Sequence, residues 1–416
     1  MITKNIVLKV GRFPVVSESF IVEHASLIIE LGYELTILCE EFDSQLLNEK
    51  FGLFQKYKLG EKTIQFGKAF PVFSASHLKQ YVKAATKINA IKILTLLNPF
   101  TYGLESIKGR LLIDFVGYQR FKSVPIIHVQ FGNYTRNLEI FKESLLMSSR
   151  VVVTFHGYDA HFNATNKEEK INAYKVLFEN ADLITSNTEY LKHQLIELGC
   201  PTEKIKVVHV PIDNQKFKPL PNKKNIQNRL ELISVGRLIE WKGHRYGIEV
   251  VKALKDKGVN VRYRVIGEGD CVNELIELVK EHSLERNVEF LGRRSQEEVI
   301  QYMQESDIYL MTSVTGTDGR KETQGVVSGE AQACGLPVVG FYSGGVPFTI
   351  VEGKTGYLCE EGDVLAMTKY VEELYLNPKK KEEMSKAAVS YINATFSREV
   401  VSVQWRDIYE GLVGEE

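Results

Sequence analysis

The chain has 416 residues, with 52 Lys and Arg against 53 Asp and Glu and 44% apolar residues. That length predicts two or three domains, each able to bury its own core, and a charge of −1 excludes a generally basic nucleic-acid binder. Five cysteines, widely spaced and without a CxxC pair, argue against a disulfide framework or structural zinc and fit a reducing cytosol. Residues 1–10 read as the start of a strand rather than a secretory signal, and no apolar run reaches the ~18 residues of a membrane span.

Short runs rich in Val, Ile and Leu alternate with helix-period segments. Strands are predicted at 5–10, 34–39, 125–130, 151–155, 182–186 and 206–210, then at 231–235, 261–266, 307–312 and 337–341. Between them, Ser186–Glu189 reads as a capping box opening a helix that stops at Gly199. Val250, Val251 and Leu254 line a helix ended by Gly258, and Val272, Leu275, Ile276 and Val279 repeat at helical spacing. Such alternation predicts an α/β fold with parallel sheets. The polar stretch 213–229, with Pro219 and Pro221, reads as a linker. The division predicted is an N-terminal Rossmann-like domain over 1–214, a linker over 215–229, a C-terminal Rossmann-like domain over 230–395, and a final segment, 396–416. The last helix carries Val401, Trp405, Ile408 and Leu412 on one face and is expected to pack back on the first domain.

Open parallel sheets bind ligands at the carboxyl ends of their strands, so the loops there are the candidate sites. In Lys321–Pro337, Glu322 lies in a loop, Gly325 permits close backbone approach, and a helix is predicted from Val326 to Cys334. Its N-terminus offers free N–H groups and a positive dipole end to a diphosphate, and Glu330 could take a ribose diol. In Ser234–His244, a strand ends at Gly236 and Arg237; Arg237 supplies a planar fork and Lys242 a point charge. Gly267, in a strand-to-loop turn, reads equally as a nucleoside contact or a plain turn, and Arg293 could flank a base. In the first domain, His156 follows a strand end and could face the reacting centre, with Asp159 beside it. His128, at a similar strand end, reads equally as a cleft residue or a structural one. Pro14, Ser17 and Glu18 occupy the first strand-to-helix loop, with Ser17 a candidate N-cap.

Residues 51–136 hold 13 Lys and Arg against three acids, a net charge of +10, with aromatics interleaved and Lys79, Lys83, Lys87 and Lys92 mostly on one helical face. The segment suits a solvated face, an anionic membrane surface or a lipid-diphosphate acceptor. No Asp-x-Asp pair is evident, so neither a metal nor another cofactor is expected.

Together these motifs resemble glycosyltransferase family 4, retaining enzymes of the GT-B fold. Glu322 and Glu330 in the frame Ser313…Gly316…Gly319…Ala331, with Phe13, Pro14, Ser17, Glu18, Ser19 and Phe20 at the start, resemble the branch that builds bacterial exopolysaccharide, colanic-acid-type and O-antigen chains. The resemblance implies two Rossmann-like domains facing across a cleft and transfer of a hexose-type sugar from a nucleotide-diphosphate sugar, uridine before guanosine, to a lipid-linked or polysaccharide acceptor. It also implies a cytoplasmic enzyme, able to sit on the inner face of the membrane. Catalytic roles would fall to Glu322, His156, Lys242 and Arg237. The donor nucleotide would meet Glu330, Arg237, Lys242, Gly236, Gly267, Arg293, Gly325 and Val326. The acceptor side of the cleft would hold Pro14, Ser17, Glu18, His128 and Asp159. Two positions depart from the family pattern: Phe348 replaces a carboxylate after Gly344 and Gly345, and Gln324 replaces an apolar residue. The alternatives are a sugar-nucleotide epimerase of the same fold, a phosphorylase, or a non-catalytic two-domain sugar-binding protein.

Overall fold

The structure, a computed structural model, describes residues 4–15, 18–43, 52–66, 96, 98–102, 110–122, 124–135, 137–143, 147–221 and 229–414. Lys79, Lys83, Lys87, Lys92 and Ser17 lie outside the described residues.

Among the described residues there are two parallel sheets. The first contains β1 (Asn5–Phe13), β2 (Glu34–Phe42), β3 (Thr63–Gln65), β4 (Ile126–Gln130), β5 (Arg150–Phe155), β6 (Leu183–Ser186) and β7 (Ile205–Val207). Their order is β3-β2-β1-β4-β5-β6-β7. The second contains β8 (Leu230–Val235), β9 (Val261–Ile266), β10 (Val288–Gly292), β11 (Ile308–Met311), β12 (Val338–Phe341) and β13 (Gly356–Cys359), in the order β10-β9-β8-β11-β12-β13. Every pairing is parallel. Helices cover both faces of each sheet, so the strands are buried on both sides and their apolar runs are continuous. Two Rossmann-like parallel-sheet units are present, as expected. β3, β10 and β13 lie outside the predicted strand ranges; β3, at three residues, is too short for a periodic signal.

Helix boundaries follow local chemistry. The Glu189–Glu197 helix is capped by Thr188, whose side chain accepts the Leu191 N–H, and not by Ser186 as the capping-box reading had it. Ser186 is the last residue of β6 and its hydroxyl turns to the Thr188 carbonyl. The Val326–Ala333 helix ends at Cys334, as predicted, with Gly335 left-handed just beyond it. The linker is less detached than its composition suggests: Phe217 is buried with Ile212, Ile392 and Phe396.

The chain crosses between the sheets twice, side by side. Ile212 donates to the Phe396 carbonyl at 2.8 Å and pairs with Ser397 in an isolated bridge. The final helix, Arg398–Gly414, then lies on the first sheet. Val401, Trp405, Ile408 and Tyr409 are buried against strands β1 and β4 and the Ser19–Glu30 helix, with Leu412 packed beside them. Arg398 anchors its start, pairing with Glu23 and Glu30 and donating to Ser26 Oγ at 2.7 Å. Among the described residues no helix is long and apolar enough to cross a membrane.

Trp405 is the largest apolar contribution of the returning helix, at 3% exposure. Trp405→Ala is expected to cost about 3–5 kcal/mol, measured as a lower urea midpoint.

Candidate active site

The carboxyl ends of β8 and β11 and the N-terminus of the Val326–Ala333 helix enclose a cavity of about 130 Å³. Ser234, Lys242, His244, Thr312, Glu322 and Gly325 are among its lining. Lys242 reaches it because the loop after β8 is fastened to β11: Thr312 Oγ1 donates to the Lys242 carbonyl at 2.9 Å, and Val314 N–H to the Trp241 carbonyl at 2.8 Å. Inside, the Lys242 ammonium donates to Glu322 Oε2. Burial alone would raise the Glu322 carboxyl, but the Lys242 charge and hydrogen bond, with the N–H groups of Thr323 and Gly325, hold it below its usual value. An ionised carboxylate therefore sits against an ammonium at a helix N-terminus, where Gly325 takes the left-handed N-cap position at φ 70°.

Glu330 lies one helical turn further on. Among the described residues nothing donates to its carboxylate, and burial pushes it up to about 8. Arg237 is exposed at the rim. Its carbonyl faces His244 Nε2 at 3.2 Å, and burial pushes the His244 imidazole down to about 4. A neutral His244 thus donates Nε2–H to the Arg237 carbonyl and leaves Nδ1 buried with no partner among the described residues. Gly236 N–H continues the sheet to the Ile266 carbonyl, and Gly267 N–H reaches the Gly292 carbonyl at 3.0 Å. Arg293 follows, exposed. Val326 lines the cavity.

The loop carrying Glu322 is held from both domains. Thr323 Oγ1 donates to the His156 carbonyl at 3.0 Å, and Thr188 Oγ1 donates to the Thr323 carbonyl at 2.7 Å. Gln324 satisfies both polar groups of Val210, accepting its N–H at 2.8 Å and donating to its carbonyl at 3.0 Å. A side chain is excluded at Gly157, Gly344 and Gly345 here. A Cβ on Gly157, at φ +114°, would come within 2.1 Å of Thr323 Cγ2, and one on Gly345 within 1.8 Å of the Thr323 carbonyl oxygen. Gly345 N–H also donates to the Glu322 carbonyl at 2.7 Å. The sequence motifs assigned no contact to Thr188, His244, Thr312, Gln324 or Gly345; for Thr188 and Thr312 a hydroxyl just past a strand end was the available signal.

His156 is brought to the domain junction. Its ring lies against Phe20 and Phe131, at 4.5 and 4.7 Å between centroids, and its Nε2 meets Gln130 Oε1 at 2.7 Å. Two acceptor-side expectations are corrected. His128 does not face the cleft: it is wholly buried on β4 beneath the C-terminal helix, where its ring nitrogens meet Tyr409, Thr154, His24 and Gln130. Asp159 is likewise enclosed, accepting the N–H groups of Gly132, His156 and Gly157, so it shapes the loop rather than meeting a ligand. Pro14, after a cis peptide bond, is buried, and Glu18 is the half-buried N-cap of the Ser19–Glu30 helix.

Two family models cover the chain, "Glycosyltransferase Family 4" over residues 17–216 and "Glycosyl transferases group 1" over 216–390. The chain is 30% identical over 409 residues to the amylovoran biosynthesis glycosyltransferase AmsK of Erwinia amylovora, covering 96% of this chain and 98% of the relative. It is 29% identical to the putative colanic acid biosynthesis glycosyltransferase WcaL of Escherichia coli, covering 97% and 100%. Among solved structures, Anabaena HepE in complex with UDP superposes with a TM-score of 0.73 at 18% identity, covering 98% and 99%. HepE with UDP-glucose gives 0.70.

The Glu330 environment sets a pH dependence. Its folded value, about 8, is above the unfolded 4.5, so the folded chain holds a proton the unfolded chain lacks between those values. That contribution is full below 4.5 and is lost as pH rises through 8. Glu330→Gln is expected to flatten the fall of the ligand-free thermal midpoint between about pH 5 and about pH 9. An unchanged slope would contradict the assignment.

Proposed function

The chain belongs to glycosyltransferase family 4, and from that premise we propose that it transfers a hexose-type sugar from a nucleotide-diphosphate donor to a lipid-linked or polysaccharide acceptor in cell-surface polysaccharide assembly. The observation that carries the reading is the ionised Glu322 paired with Lys242 at the N-terminus of the Val326–Ala333 helix. AmsK and WcaL, named for the biosynthesis of amylovoran and colanic acid, span almost all of the chain and support a polysaccharide product. HepE, which holds UDP-glucose, supports uridine as the base.

In this reading the donor diphosphate lies between Lys242, Arg237 and the N–H groups of Gly325, Val326 and Val327. Glu322 accepts hydroxyls of the donor sugar, and Glu330 takes the ribose diol. The chemistry is loss of a diphosphate, so the site must stabilise the negative charge that develops on the leaving oxygen. Preorganised donors at such an oxygen are worth about 3–4 kcal/mol each. Lys242 and the helix N-terminus supply them without reorganising, because the Thr312 and Glu322 contacts already fix the lysine. The acceptor hydroxyl attacks the anomeric carbon on the face the diphosphate leaves, its proton passing to a departing phosphate oxygen, so configuration is retained. His156, fixed at the domain junction, lines the sugar side. Positive charge on protein groups makes a divalent metal unnecessary for this step. The basic segment 51–136, where Phe100 is 99% exposed beside Pro99, meets the acceptor's membrane surface.

Lys242→Ala and Glu322→Gln are each expected to lower transfer at least ~100-fold, with far-UV circular dichroism unchanged. A thermal-shift panel of nucleoside diphosphates is expected to give its largest rise with UDP and the same rise in EDTA; GDP alone raising the midpoint would overturn the choice of base. Sedimentation with vesicles is expected to recover the protein only when anionic lipid is present at low salt, and recovery independent of lipid charge would remove the membrane reading.

A further inference from the structure

A line of hydrogen bonds runs through the first domain from the C-terminal helix to His156. Tyr409 Oη lies 2.9 Å from His24 Nε2 and 2.8 Å from His128 Nδ1. Across the His128 ring, Nε2 meets Gln130 Nε2 at 3.2 Å and Thr154 Oγ1 at 2.7 Å. Gln130 Oε1 then meets His156 Nε2 at 2.7 Å. Trp405 roofs the group, with ring centroids 4.6 Å from His24 and 4.9 Å from His128.

Three imidazoles lie in this line. Burial pushes His24 and His156 down to about 3 and His128 well below its usual value, so each ring is neutral and carries one N–H. The Gln130 amide then sets the sense of the line. Its nitrogen faces His128 and can only donate, so His128 Nε2 accepts and His128 Nδ1 carries the proton. His128 Nδ1–H donates to Tyr409 Oη, and the Tyr409 hydroxyl donates to His24 Nε2. Thr154, 2.6 Å from Thr185 Oγ1, fits the same sense by donating to His128 Nε2 and accepting from Thr185. At the other end, Gln130 Oε1 can only accept, so His156 carries its proton on Nε2. Its Nδ1 keeps a lone pair that no described residue meets. Meanwhile Thr323, next to Glu322, donates to the His156 carbonyl, so this ring stands where the two domains meet.

We propose that Gln130 and Tyr409 are positioning residues that fix the tautomer of His156, so that its Nδ1 presents an acceptor to the bound sugar and selects a hydroxyl there. The C-terminal helix is on this account part of the site and not only a clasp across the two domains. The inference rests on the reading of His156 as lining the sugar site. It goes beyond that reading by naming what sets the ring's chemistry, from a residue 253 positions further along the chain.

The test is long-range ¹H–¹⁵N spectroscopy of the full chain labelled at its nine histidines, with His156 assigned from His156→Ala. The wild type is expected to show His156 protonated at Nε2 and bare at Nδ1. In Tyr409→Phe, which keeps the ring packing, and in Gln130→Leu, His156 is expected to populate both tautomers. The transfer kcat should fall about fivefold, the worth of one neutral hydrogen bond, with the donor KM nearly unchanged. A role in packing alone would lower the thermal midpoint without moving the tautomer. His156 protonated at Nδ1 in the wild type, or a tautomer unmoved in Tyr409→Phe, would overturn the proposal. If the tautomer behaves as stated but His156→Ala transfers sugar at the wild-type rate, the sugar-site reading fails and hydroxyl selection with it, while control of the ring by Gln130 and Tyr409 stands.

Discussion

A buried carboxylate must either take up a proton or find a cation, and Glu322 has found Lys242. That pairing constrains much of what surrounds it. Holding the ammonium in the cavity requires the loop after β8 to be fastened to β11 through Thr312 and Val314. Holding the carboxylate requires the N–H groups at the start of the Val326–Ala333 helix, and the Gly345 N–H secures the backbone from below. Pairs of this kind are poor sources of stability, since desolvation offsets much of their attraction, and they leave a costly isolated charge when one partner is removed. On the proposed function, their presence at a strand-end cavity is preorganisation: the charges would stand in place before a donor diphosphate arrives.

The same loop joins the two domains. Thr323 and Gln324, the two residues between Glu322 and Gly325, bond to His156, Thr188 and Val210 of the first domain. The position of the Glu322 carboxylate is thereby tied to the position of the first sheet. Gln324 illustrates how a departure from a family pattern can carry a function of its own. Read as a sequence, it is a polar residue where an apolar one is usual; folded, its amide satisfies the two main-chain groups of Val210 and stitches the loop to the crossing point between domains.

What the sequence made legible was whatever depended on local pattern. Strands covered on both faces write continuous Val and Ile runs, and the glycines at 199, 258 and 335 end helices where left-handed backbone is needed. The return of the last helix could be read from Val401, Trp405, Ile408 and Leu412, because one apolar face must be buried somewhere. Glu322, Lys242 and Gly325 stand out because they lie in strand-to-helix loops. What stayed hidden depended on direction and distance. β4 is buried at all five positions, so alternation could not tell whether His128 points into the cleft or beneath the C-terminal helix. Its partner Tyr409 is 281 residues away, and nothing local announces the pair. Asp159, three residues after His156, read as an acceptor-side cleft residue, yet three backbone N–H groups occupy it. β3, three residues long, gave too little pattern to register.

The proposed function requires Lys242 and Glu322 to act as one unit at the donor diphosphate. A double-mutant cycle of Lys242→Met and Glu322→Gln, read as the calorimetric affinity for UDP, tests this directly. A unit predicts that the two losses are not additive, with a coupling above about 1 kcal/mol, because each substitution already strands its partner. Losses that add within about 0.5 kcal/mol, or affinity for UDP unchanged in both single variants, would contradict it.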